Sequence, residues 1–112
     1  LEKIKKIIVA KRKNFKEYFK NFKKISGVNV IKEPKNTKSN YWLITLNLQS
    51  NYKIKNNILK KLNNLGFNAR AIWKPLHTLS IYKDYPKDNL TNTLNAYKSS
   101  INLPSSAGIN FK

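Results

Sequence analysis

Cysteine and methionine are both absent from these 112 residues, glycine occurs three times and histidine once. Without cysteine there is no disulfide and no thiolate metal site, and a single histidine excludes the common zinc ligand sets. Gly27, Gly66 and Gly108 lie too far apart to make a glycine-rich phosphate loop. Acidic residues are scarce. Glu2, Glu17, Glu33, Asp84 and Asp88 include no close pair suited to a two-carboxylate mechanism. No apolar run approaches the roughly 20 residues of a membrane-spanning helix. The apolar residues near the basic N-terminus are spaced, not continuous as in a signal peptide. The cytoplasm is therefore the expected compartment.

What is present is positive charge and apolar surface. The net charge is +18, and hydrophobic residues make up 40%, enough to argue for a folded chain. At this length one domain, residues 1–112, is expected. The charge invites a polyanion partner, since basic chains bind phosphate by releasing counterions. Yet only Arg12 and Arg70 are arginines; the other basic residues are lysines, which lack the bidentate fork used to read bases. Lysine, asparagine and isoleucine together are also what AT-rich codons supply. A basic nucleic-acid-binding module stands as the alternative function on this ground.

Hydrophobic periodicity sets out the elements. Ile4, Ile7, Ile8, Phe15, Tyr18, Phe19, Phe22 and Ile25 form one helical stripe, ending near Gly27 as a left-handed cap. Nothing before Leu1 caps this helix, and no methionine starts the chain. Those features fit either a trimmed chain or the C-terminal piece of a larger protein, the second being the expectation. Segments 28–34, 41–48 and 67–73 read as strands. In the second of these, Trp42, Ile44, Leu46 and Leu48 share a face. A helix over 51–67 buries Ile54, Ile58, Leu62 and Leu65, with Asn51 as N-cap and Gly66 as C′ residue. Residues 76–88 are irregular. Asp88 caps a third helix near 89–99, and 101–109 is an extended structural tail stopped at Pro104. The fold class is α+β: a two-layer sandwich with a small, mostly antiparallel sheet of about three strands, a long N-terminal helix and two further helices.

Chemistry concentrates in "RAIWKPLH", residues 70–77. Two readings stand. In one, Trp73 and Leu76 are core, Pro75 is a strand stop and His77 is a satisfied structural histidine. In the other, a strand exit carries a binding site, as such exits commonly do. Arg70 and Lys74 would then hold phosphate or carboxylate, Trp73 would supply a stacking wall, and His77 would donate a hydrogen bond or move a proton near neutral pH.

The segment "ILKKLNNLGFNARAIWKPLH" (58–77) resembles the C-terminal small domain of the DegT/DnrJ/StrS-type PLP-dependent nucleotide-sugar aminotransferases. There, a helix ending in glycine leads into an arginine-bearing strand, followed in one subgroup by a tryptophan–x–proline–x–histidine turn. "NYWLITLNL" (40–48), "INLPSS" (101–106) and "IIVAKRKNFKEYFK" (7–20) are similar to the family's central strand, its leucine–proline–serine segment and its interdomain helix. The resemblance implies transfer of an amino group from an amino acid, usually glutamate, to a nucleotide-linked 4-keto-6-deoxy sugar for surface-glycan synthesis. It implies PLP as cofactor, with its lysine in a large N-terminal domain outside this chain, and a homodimeric parent enzyme. It places Arg70, Trp73, Lys74 and His77 at the substrate pocket, with Arg70 either anchoring substrate or bracing its strand through a salt bridge. No catalytic residue and no metal site are expected in these residues, nor any activity of the chain alone.

Overall fold

The computed structural model describes residues 2–111, apart from the side chains of residues 50 and 51. Asn51, the expected N-cap, lies outside those described side chains. Helix α1 spans Ile4–Phe22, α2 Lys55–Asn64 and α3 Thr91–Ser99. Strands β1 (Asn29–Val30), β2 (Ile44–Asn47), β3 (Arg70–Ala71) and β4 (Ser100–Leu103) form one antiparallel sheet in the order β1-β2-β4-β3. The expected α+β class holds, with four strands where about three are expected.

The fourth strand comes from the segment expected to be a tail. Residues 100–103 pair with both β2 and β3 and are buried throughout. Alternation explains the placement. Ile101 and Leu103 face Leu46 and Ile44, while Ser100 and Asn102 face Asn47 and Thr45. One sheet face is therefore apolar and the other polar.

The helices cover the apolar face. Phe15, Tyr18, Phe19 and Phe22 from α1, with Ile58, Leu59 and Leu62 from α2, pack against Val30, Ile44, Leu46, Leu48, Ile101 and Leu103. Helix α2 starts later than expected because a 3-10 turn, Gln49–Ile54, precedes it. Ile54 and Leu65 consequently lie outside the buried stripe and are exposed. The C-terminal expectation for α2 is met: Gly66 has φ +83°, its N–H donates to Asn63 O, and Phe67 N–H donates to Leu62 O. These two bonds make a Schellman cap. Gly27 is also left-handed, at φ +78°, but α1 has already ended at Phe22.

Tyr41 departs from the expected strand alternation. Its φ of +46° turns the chain, so Tyr41 enters the core and Trp42 is left 62% exposed. The Tyr41 ring stacks on Phe15 at 4.0 Å, and the Arg12 guanidinium lies over the Tyr41 ring, 5.4 Å from its centroid. Arg12 also forms a fork with Glu33, at 2.9 and 2.7 Å, and donates to Ser39 O. Ser39 N–H donates to the same carboxylate. These donors hold the Glu33 carboxyl down at about 2, the Arg12 hydrogen bond being the largest cause. Residues 33–41 are thereby fastened to α1.

Candidate functional site

A hollow of about 710 Å³ opens at the end of the sheet where β2 and β3 begin and β4 ends. Trp42 and Trp73 form its aromatic wall, edge to face with ring centroids 5.9 Å apart. Trp73 is 72% exposed, so it serves as surface and not as core. Arg70 and Asn102 are register partners on β3 and β4, and both line the hollow. Ser105 and Ser106 complete its lip.

Helix α1 positions that lip through side chains on one helical face, at spacings of three and four. Lys11 Nζ donates to Ser105 O at 2.7 Å, Asn14 Nδ2 to Ser106 O at 2.7 Å, and Tyr18 OH to Pro104 O at 3.0 Å. Three consecutive carbonyls beyond β4 are thus held by the helix. Ser105 Oγ in turn donates to Trp42 O at 2.6 Å, tying the tryptophan to the same lip. Of the two readings open for Ser105 and Ser106, a structural tail or a place near the pocket, the tail being the expectation, their position lining the hollow favours the second.

The four residues singled out from sequence separate in space. Arg70 and Trp73 line the hollow, whereas Lys74 and His77 are not among its lining residues. Lys74 is exposed just after β3. His77 lies in a 3-10 turn, Leu76–Thr78, and its buried Nε2 has no hydrogen-bond partner among the described residues. Among those residues Arg70 makes no ion pair; the ion pair found is Arg12–Glu33. Trp42 and Asn102 also line the hollow, and Lys11 holds its Ser105 lip; none of the three is a site candidate on sequence alone. For Asn102 the available signal was the alternation of Ser100-Ile101-Asn102-Leu103, which is that of a strand with one polar face.

Other chemistry is sparse. Among the described residues no three His, Cys, Asp or Glu side chains group to hold a metal. Lys55 is buried; its ammonium donates to Tyr97 O and lies over the Tyr97 ring, and burial lowers its pKa. It does not line the hollow.

Comparison with known proteins gives this architecture a context. Residues 1–111 match the DegT/DnrJ/EryC1/StrS aminotransferase family. The chain is 30% identical over 111 residues to a GDP-perosamine synthase of Vibrio cholerae, covering 97% of this chain and 30% of that protein. Its fold is similar to Helicobacter pylori PseC, an aminotransferase involved in the biosynthesis of pseudoaminic acid (TM-score 0.87, 22% identity, 99% of this chain and 30% of that one). It is similar also to DesI, solved in the presence of its TDP-sugar product (TM-score 0.86, 21% identity, 98% and 29%).

An antiparallel sheet backed by helices is thus a fold found within sugar aminotransferases. The chain belongs to the DegT/DnrJ/EryC1/StrS aminotransferase family, whose members are PLP-dependent. It spans about 30% of the length of the curated relative it matches.

Proposed function

We propose that these residues are the C-terminal small domain of a PLP-dependent enzyme that moves an amino group from an amino acid, glutamate by family resemblance, to a nucleotide-linked 4-keto-6-deoxy sugar. The product would enter surface-glycan synthesis in the cytoplasm, and the parent enzyme would be a homodimer. The observation that carries this reading is the hollow itself: Arg70, with no ion pair among the described residues, beside an exposed Trp42–Trp73 wall, in a chain of this family. A guanidinium recognises phosphate or carboxylate, and indole faces and edges suit rings. Lys74 and His77 would border the same substrate from the turn that follows β3. The partnerless Nε2 of His77 supports a role beyond packing, because buried polar atoms are normally satisfied.

The residues present do not fit a covalent PLP site of their own. No lysine lines the hollow, Lys11 is held by the Ser105 and Trp42 carbonyls, and Lys55 is buried against Tyr97. PLP would supply the amino-carrying chemistry in the whole enzyme, and these residues would bind and orient substrate. The 112-residue chain is therefore expected to be inactive. Mixed with PLP, it should show no stable absorbance change that one lysine substitution abolishes; such a change would contradict the assignment.

The substrate role is tested by Trp73→Ala and His77→Ala in the whole enzyme. Each should raise KM for the sugar nucleotide about tenfold, the loss of about 1.4 kcal/mol of binding. If KM and turnover both stay at wild-type values, the site assignment fails.

A further inference from the structure

We propose that Asn102 contacts ligand directly, its side-chain amide acting with the Arg70 guanidinium to bind an oxyanion in the hollow. Asn102 is only 8% exposed, yet it lines the hollow. Its Oδ1 accepts a hydrogen bond from Thr45 Oγ1 at 2.9 Å, and this bond fixes the amide plane. Its Nδ2 has no protein partner among the described residues, although it is not sealed from solvent. An amide anchored at its oxygen, with its N–H groups open to the hollow, is held ready to donate to a ligand oxygen.

The neighbourhood favours an anion. Asn102 pairs in register with Arg70, so the two side chains project from the same sheet face. Neither Asp nor Glu lines the hollow, and the chain carries a net charge of +18. A guanidinium and an amide N–H side by side offer only donors, the complement of a phosphate or carboxylate oxygen. The inference rests on the reading of this hollow as a ligand site, and it adds the donor that fixes ligand orientation there.

The chain carries its own reporter, because its two tryptophans both line the hollow. Tryptophan fluorescence of the 112-residue chain is titrated with inorganic pyrophosphate and, separately, with glutarate. Tighter binding of the first identifies a phosphate-bearing ligand, and of the second a carboxylate; saturable binding of either supports the proposal. Asn102→Asp keeps the acceptor for Thr45 and replaces the donor by an anionic oxygen. It should weaken the preferred anion at least about tenfold. Lys53→Gln, a same-sized charge change away from the hollow, should leave affinity unchanged. Wild-type affinity in Asn102→Asp overturns the inference. So does an equal loss in Lys53→Gln, which would make the effect one of net charge and not of the Asn102 donor. Arg70→Gln separates the two levels. Loss there with none in Asn102→Asp removes the Asn102 role and leaves the hollow a ligand site; no loss in either removes both.

Discussion

Glu33 shows how one side chain organises a segment with no regular structure. Its carboxylate collects the Arg12 fork and the Ser39 N–H, and these donors hold its pKa at about 2, below the ordinary value of 4.5. The folded state therefore binds this proton more weakly than the unfolded chain. The resulting stability is fully present above about 4.5 and is lost as pH falls toward about 2. Urea unfolding of wild type and Glu33→Gln should show the largest difference at neutral pH, shrinking as pH falls through that window. A difference that stays constant with pH would mean that Glu33 acts through packing alone. Tyr41 makes a related point about what sequence conceals. Strand alternation alone puts Trp42 inward and Tyr41 outward; a left-handed φ, which side chains of this size rarely adopt, reverses them. The stack on Phe15 and the overlying Arg12 supply the interactions that hold it there. Nothing local in the sequence announces such a turn, because its cause is tertiary.

At the scale of elements, β4 decides the architecture. It joins β2 to β3, and Ile101 at its centre is fully buried. Ile101→Ala should cost about 2–5 kcal/mol in a denaturant titration, the range for truncating a buried aliphatic side chain. A cost below about 0.5 kcal/mol, the range typical of surface substitutions, would return residues 100–103 to the status of a tail. The long helix, the Gly66 cap and the β2 core positions were legible because each rests on local periodicity or on glycine chemistry. The fourth strand was not, since four residues ended by Pro104 carry little periodic signal and owe their strand state to neighbours on both sides. The site divided in the same way. Arg70 and Trp73 stood out by rarity and by the family-like turn. Trp42, Asn102 and the Lys11 clip depend on contacts separated by dozens of residues in sequence.

The whole molecule is less compact than a closed domain of its length. Its radius of gyration is 15.7 Å, against about 13 Å for a compact domain of this length. Trp42, Leu65, Trp73, Leu76 and Ile81 are all left exposed on it. No helix among the described residues is long and apolar enough to cross a membrane. Family membership and the 30% span of the curated relative give this surface its meaning under the proposed function: a substrate-binding wall facing chemistry supplied elsewhere in the enzyme. The sequence alternative, a basic nucleic-acid-binding module, rests on charge alone, whereas the hollow concentrates its donors at Arg70 and Asn102.

Steady-state kinetics of Arg70→Gln in the whole enzyme test that central claim most directly. Loss of the guanidinium should raise KM for one of the two substrates at least about tenfold, a charge-assisted contact being worth about 1.5–3 kcal/mol. Wild-type KM for both the sugar nucleotide and the amino donor, with turnover unchanged, would show that the hollow faces no substrate and would contradict the account.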